Sequence, residues 1–326
     1  MQHKNRLTLF IPELFNQLKQ EYPPHDLPNL ALVLSKANVE KLPNCLNELS
    51  LLAELSDLSG FNAESRAALH LLGLDEKLNS WVCYASPVFI QPNRDHLSIV
   101  QANGFELDIN EATDLCAEFN DYFQNDGLQF SFTEPNNWFC FSQDVKSSAA
   151  YSPSSILGKN IIEFLPTEIT DVQWRKLFNE TQMVLHHSAT NQQRITSGKP
   201  EINSLWFWGG GTLAKTSRLK YNQVFTNNME IKGLAKLGQS RVMNLPENIS
   251  KELLEENFDY LIAIDPQYAT DCYSLIDKYA QECTDLLKNK SINTMQVVPE
   301  YGQKFILTSK DLKKFWKRTQ SISSFI

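Results

Sequence analysis

The sequence lacks several features that would settle its class at once. No stretch of the 326 residues approaches the roughly 20 consecutive apolar residues that a bilayer-spanning helix needs. The opening, MQHKNRLTLFIPELF, has its apolar stretch cut short by Pro12 and Glu13, which makes a poor signal peptide and a good first strand. Cys45, Cys83, Cys116, Cys140, Cys272 and Cys283 form no C-x-x-C pair, which argues against a structural zinc site and suits a reducing compartment, so the expected location is the cytoplasm. Positive charge is short as well. A net charge of −8 and a pI near 5.4 disfavour nucleic acid, and neither nucleic acid nor membrane is expected as a partner. The one basic cluster, Lys310, Lys313, Lys314, Lys317 and Arg318, reads as the solvated face of a terminal helix. There is no G-x-S-x-G, no G-x-x-x-x-G-K-[ST] and no H-E-x-x-H, which removes the commonest hydrolase, nucleotide-binding and metalloprotease signatures. No internal repeat and no low-complexity tract is visible.

What is present describes a large folded protein. With 42% hydrophobic and 21% charged residues, the chain can bury a sizeable core and is long enough for more than one domain. Leu7–Ile11 reads as a buried strand, followed by helices near 13–20, 27–37 and 43–56, with breaks at Pro23-Pro24 and Pro43, and by a helix over 64–72 that stops at Gly73. From Trp81 the order is strand, strand, helix, strand, strand, with Asn103-Gly104 as a turn and Asn110 as a possible helix cap, and a serine-rich link over 146–155 ends the segment. Beyond Gly211, strands and helices alternate: strands at 223–226, 241–245 and 260–264, helices at 229–237, 248–256 and 269–288, then two strands and a terminal helix. Such alternation with apolar strands implies a mostly parallel sheet covered on both faces, whose ligands lie at the carboxyl ends of the strands. The expected organisation is an α/β core from residues 1–78 and 156–326, with an inserted α+β module over 79–155.

The stretch from Trp174 to Gly211 stands out. An amphipathic helix carries Trp174, Leu177, Phe178, Thr181 and Leu185 on one face, then a polar passage holds Asn191, Arg194, Gly198 and Asn203. An apolar strand, Leu205–Trp208, ends in Gly209, Gly210 and Gly211, which is either a sharp turn after a central strand or a place where backbone approaches a ligand. Trp206 and Trp208 are taken as core residues, one on each face of the strand. Arg194 suits an anion through its planar fork, and equally a cap or salt bridge. His186-His187 reads as a surface pair, because adjacent helical residues diverge by about 100°.

Several of these passages together resemble the archaeal-type, cofactor-independent phosphoglycerate mutases of the alkaline phosphatase superfamily, and within that group the bacterial regulatory proteins of RpfE type. Asn191 to Arg194, Asn203 and Gly209–Gly211 resemble an N-x-x-R and an asparagine preceding an R-G-A-G strand end. Leu27–Lys36, LPNLALVLSK, is similar to a T-P-N-L-D-x-L-A-K helix, Leu72–Asp75 to an L-G-Y-D, and Ile231–Gly238 to a glycine-bounded helix. The resemblance implies an alkaline-phosphatase-like α/β fold and a hydroxyl nucleophile working with two divalent metals.

The positions that would carry this chemistry have changed. Where the first strand should end in Asp-Gly stand Pro12 and Glu13. The Ser-Asp pair aligns with Glu64 and Ser65. The Asp and His after the strand at 259–264 align with Ala269 and Tyr273, with Asp265 nearby, and Val298–Gly302 replaces an Asp-His-Gly. Ser188 stands where a histidine precedes N-x-x-R, and Trp208 replaces the arginine of R-G-A-G. The resemblance therefore implies a catalytically degenerate protein without the two-metal site, a regulatory protein or a binder of phosphorylated metabolites or anions. Its ligand residues would be Asn191, Arg194, Asn203, Gly209, Gly210 and Gly211. No cofactor is expected. The alternative is an active mutase or phosphotransferase using Mn, Mg or Zn on displaced ligands (Glu13, Asp265, Glu300), with Glu64 or Ser65 as catalytic candidates. A second alternative is a protein-interaction scaffold with no small-molecule site.

Overall fold

In the computed structural model the described residues are 5–20, 25–43, 45, 47–56, 58, 64–76, 78, 80–93, 96–143, 148–149, 151–165, 171–213, 218–265 and 272–326, excepting the side chains of 171–174 and Glu300. The chain begins β1 (Arg6–Phe10), α1 (Leu14–Gln20), α2 (Pro28–Lys36), β2 (Asn38–Lys41), α3 (Glu48–Leu55) and α4 (Arg66–Gly73). It continues through β3 (Trp81–Pro92), β4 (Leu97–Gln101), α5 (Ile109–Tyr122), β5 (Leu128–Glu134) and β6 (Asn137–Ser142). Then follow α6 (Asp171–His187), α7 (Ala189–Thr196), β7 (Ser204–Gly211), β8 (Gln223–Thr226), α8 (Met229–Leu237) and β9 (Arg241–Met243). The last elements are β10 (Asp259–Ala263), α9 (Cys272–Lys288), β11 (Thr294–Glu300) and β12 (Gln303–Thr308). Among the described residues no helix is long and apolar enough to cross a membrane.

The chain divides into two compact units. The first comprises Met1–Ala63, Leu72–Leu74 and Lys215–Ile326, and the second Glu64–Leu71 and Asp75–Ala214. The first unit is built on a seven-stranded sheet in the order β2-β12-β11-β1-β10-β8-β9. From β11 to β9 every pairing is parallel, and β12 is antiparallel to both its neighbours. Parallel neighbours need crossover helices, and these supply the apolar cover that lets β1 and β10 be buried almost completely. Leu7, Leu9, Tyr260, Ile262, Met295 and Val297 pack with Leu30, Val33 and Leu34 of α2 and Ile276, Ala280, Cys283 and Leu287 of α9. Local signals agree with these elements. Pro28 occupies the first helical position of α2, where its missing N–H is harmless, and Asn228 caps α8 by accepting from Ile231 N at 3.1 Å.

The second unit carries a five-stranded sheet in which β4-β3-β6-β5 run in order and β7 pairs antiparallel with β3. One face packs Cys83, Ala85, Leu205 and Phe207 against Phe119 of α5 and Leu177 and Leu185 of α6. The other packs Val82, Tyr84, Trp206 and Trp208 against Ala67, Ala68 and Leu71 of α4 and Ile156 and Ile161. Trp206 and Trp208 thus share a face, correcting the expectation of opposite faces, because side chains two apart on a strand point the same way.

Further expectations are corrected. The strand holding Gly209–Gly211 belongs to this antiparallel sheet and not to a carboxyl end of the parallel one, and residues 156–214 pack with the second unit. Within the polar passage, Asn191 to Arg194 lie in α7, whose N-cap Ser188 accepts from Asn191 N at 3.2 Å. The helix read over 248–256 reduces to a 3-10 turn at Lys251–Leu253, and the terminal helix to turns at Asp311–Lys313 and Ile322–Ser324. Both misread stretches are short, and isolated short helices gain little without an apolar face to bury. Asp108, two residues before Asn110, caps α5 through a capping box with Glu111. Pro23-Pro24 and residues 146, 147 and 150 of the serine-rich link lie outside the described residues.

Candidate functional site

In a parallel sheet the chain turns at the carboxyl edge, so side chains from separate strands meet there. Phe10 is level with Ala263 and Val298, and Ala263 with Thr226. Two residues further along the chain, just past this edge, stand Pro12, Asp265 and Asn228, and beyond an irregularity in β11 stands Glu300. Glu13 follows in a left-handed conformation, φ 62°. The three residues proposed from sequence as displaced ligands, Glu13, Asp265 and Glu300, therefore follow or end three adjacent strands, β1, β10 and β11, at the same edge of the sheet. Asn228 Nδ2 donates to Asp265 Oδ2 at 3.0 Å, and Asn228 N donates to the buried Thr226 Oγ1 at 3.1 Å. Tyr273, at the start of α9, stacks on His25 with ring centroids 4.2 Å apart. Ala269 lies outside the described residues.

This donor set does not fit two divalent metals held by Asp and His. Pro12 has no ligating atom, Asp265 is engaged by an amide, and the edge offers no imidazole at the matching levels. Among the described residues no group of three or more His, Cys, Asp or Glu is placed to hold a metal ion.

A cleft of about 310 Å³ opens between the start of α2 and α9, lined by His25, Asp26, Asn29, Tyr273, Asp277 and Gln281. Sequence reading missed the group that organises it. Leu27 offers α2 no side-chain cap, and Asp277 of α9 takes that role, accepting from Asn29 N and Leu30 N at 2.9 Å and from Asn29 Nδ2 at 2.7 Å. The signal was available only as an unfilled cap before Pro28.

The residues singled out around Trp174–Gly211 lie together in the second unit, and their polar groups are turned inward. Asn191 is buried, its amide donating to the carbonyls of Leu185 and Ile202 at 3.0 and 2.8 Å and accepting from Ile202 N at 3.3 Å. Asn203 mimics a strand partner to Ile90, accepting from its N–H and donating to its carbonyl, both at 2.8 Å. Arg194 is 1% exposed. Its Nη1 pairs with Glu111 Oε2 at 2.6 Å, and its Nη2 donates to the carbonyls of Pro200, at 3.0 Å, and Phe105. Lys199 reaches the other Glu111 oxygen at 2.8 Å. Burial pushes the Glu111 carboxyl up, but the hydrogen bonds from Lys199 and the Asp108 backbone and the charge of Arg194 outweigh it and hold it below its ordinary range. Of the two roles left open for Arg194, the geometry matches the salt bridge.

The glycines admit side chains of the protein itself. A Cβ on Gly210 would strike the Trp81 ring, and one on Gly211 would meet the Ser65 side chain and lie 2.9 Å from Ser65 Cα. Gly210 N donates to Ser148 Oγ at 2.9 Å, and Ser65, itself buried, donates to the Thr212 carbonyl at 3.1 Å. Glu64 is exposed at the turn before α4. His186 and His187 form an edge-to-face pair at the end of α6, with His187 Nδ1 2.8 Å from the Met183 carbonyl.

No family model matches the chain. Over 59 residues it is 36% identical to a probable 2,3-bisphosphoglycerate-independent phosphoglycerate mutase of Geobacter sulfurreducens, covering 18% of this chain and 15% of that protein. Over 63 residues it is 36% identical to the enzyme of that name from Methanosarcina barkeri, covering 19% and 16%. The matched stretch thus spans about one sixth of those relatives' length. A solved protein structure from Pyrococcus horikoshii aligns over 94% of this chain and 88% of its own, with a TM-score of 0.52 and 13% identity. That likeness is one of fold. A cofactor-independent phosphoglycerate mutase from Thermoplasma acidophilum aligns over 99% and 94% at a TM-score of 0.48 and 14% identity, too distant to carry an argument.

Proposed function

We propose that this protein is a phosphoglycerate mutase-like chain that has kept the fold and lost the two-metal chemistry, and that it acts as a regulatory protein or a binder of small phosphorylated metabolites. The observation that carries the reading is the composition of the carboxyl edge, where Pro12, Asn228 and an amide-bound Asp265 stand at the level that phosphoryl transfer needs for convergent metal ligands. The local likeness to mutases supports the family, and the whole-chain fold likeness is compatible with it. On this reading any ligand is held by the carboxyl edge and the α2–α9 cleft, because the amides of Asn191 and Asn203 and both terminal nitrogens of Arg194 are occupied within the fold, and the one unpartnered nitrogen of Arg194, Nε, is buried.

The experiment is a thermal-shift panel of phosphorylated metabolites with and without manganese, together with metal analysis of the purified protein. A shift from one metabolite that needs no metal supports the proposal. Tight uptake of two manganese equivalents sinks it, and no shift from any compound favours a scaffold without a small-molecule site.

A second reading, an active enzyme with displaced ligands, is favoured by one fact: Glu13, Asp265 and Glu300 share the carboxyl edge of three neighbouring strands. It requires turnover of 3-phosphoglycerate that disappears in Asp265→Ala and Glu300→Ala. Activity untouched by either substitution removes those roles.

A further inference from the structure

The loop after β12 holds two large aromatic side chains in solvent. Phe315 is 86% and Trp316 65% exposed, and their rings stand edge to face with centroids 5.2 Å apart. The sequence reads here as the wet side of a helix, yet only a single 3-10 turn, Asp311–Lys313, forms before the pair.

The backbone around the pair is fastened on both sides. Buried Asp311 accepts from Thr308 N at 2.9 Å, from Thr308 Oγ1 at 2.6 Å and from Lys314 Nζ at 2.5 Å. Lys317 Nζ donates to the carbonyls of Ala37, at 2.8 Å, and Lys36, at 3.3 Å, where a cation suits the C-terminus of α2. Lys36 Nζ donates back to the carbonyls of Lys314, at 2.8 Å, and Lys317. Gln320 N donates to Ser35 Oγ at 2.9 Å. A loop pinned this way to the end of α2 presents its rings from a fixed base. Leaving them in water is unfavourable unless something covers them.

The charges around the rings select the sign of that cover. Lys314 and Lys317 are engaged in fastening the loop, whereas Lys310, Lys313 and Arg318, within five residues of the rings in the chain, are exposed. We propose that the Phe315–Trp316 loop docks this protein on an anionic lipid surface, the two rings entering the headgroup region and Lys310, Lys313 and Arg318 facing the phosphates and carboxylates. Trp and Phe beside lysines are the side chains that favour a membrane interface. Rings at 84° to one another present no common stacking platform for a single nucleic acid strand. The expectation of no membrane partner followed the net charge, the lack of a spanning segment and the reading of this cluster as a solvated face; surface docking needs no spanning segment and depends on the local, basic charge.

The test is co-sedimentation of the full chain with sucrose-loaded vesicles of phosphatidylcholine, alone or with about a third replaced by phosphatidylserine. Binding should require phosphatidylserine and weaken as salt rises. Lys313→Gln and Arg318→Gln should each weaken it about fivefold, and Phe315→Ser with Trp316→Ser about tenfold or more, with unfolding temperatures unchanged because these side chains are exposed. Absence of binding to the anionic vesicles overturns the proposal, as does equal binding by the double aromatic variant. Retention by a single-stranded oligonucleotide without vesicle binding assigns the patch to nucleic acid and also overturns it.

Discussion

Arg194→Ala separates a structural arginine from a ligand arginine. Burial of Arg194 is nearly complete, and the substitution removes its ion pair with Glu111 and leaves the carbonyls of Phe105 and Pro200 without their donor. Breaking a buried ion pair from one side costs about 3–5 kcal/mol. Glu111 keeps Lys199 at 2.8 Å and its backbone donor Asp108 N at 3.1 Å, so the low end, about 3 kcal/mol, applies. For a unit of this size each kcal/mol moves the midpoint by about 2–4 °C, which predicts a fall of about 6–12 °C in the melting of the second unit. Five of the six tryptophans lie in that unit, at positions 81, 138, 174, 206 and 208, so tryptophan emission reports its unfolding. Arg194→Lys should recover little, because one ammonium cannot serve Glu111, Phe105 and Pro200 together. If Arg194→Ala melts within about a degree of the parent while a metabolite-induced shift disappears, Arg194 is a ligand contact and the reasoning is refuted.

Two further outcomes follow from other parts of the structure. His70 packs against Phe139 and shares a hydrogen bond with Tyr84 OH, 2.9 Å from its Nδ1, and burial lowers its pKa from 6.5 to about 4. The unfolded chain therefore takes up a proton that the folded one refuses. This contribution is whole above pH 6.5 and lost as pH falls toward 4, by up to about 3 kcal/mol. Urea unfolding at several pH values should show that loss in the parent and a reduced one in His70→Gln; identical profiles would dismiss the assignment. Asp277→Ala should destabilise the first unit by about 1–2 kcal/mol by uncapping α2, and Asp277→Asn by less, measured as a lower urea midpoint at constant slope.

The alternation of apolar strands with helices beyond Gly211 was legible because it follows from local periodicity, and the parallel sheet from β11 to β9 follows from it. The stop of the α4 helix near Gly73 is local in the same way. The partner of β7 was not legible. An apolar strand followed by glycines satisfies either sheet by composition, and only the pairing with β3, more than 100 residues earlier in the chain, decides between them.

The same division holds for the site. Sequence alone determined which residue types stand at each strand end: Pro12, Glu13, Asp265 and Glu300 are facts of composition and order. Tertiary structure decided what surrounds them, placing Asn228 on Asp265, turning Arg194 toward Glu111 and bringing Asp277 to the head of α2. A hydrogen-bonding side chain carries no mark of its partner in its own identity. Whether an arginine meets a ligand or a glutamate is settled by which elements pack beside it, and that packing depends on contacts far apart in the chain.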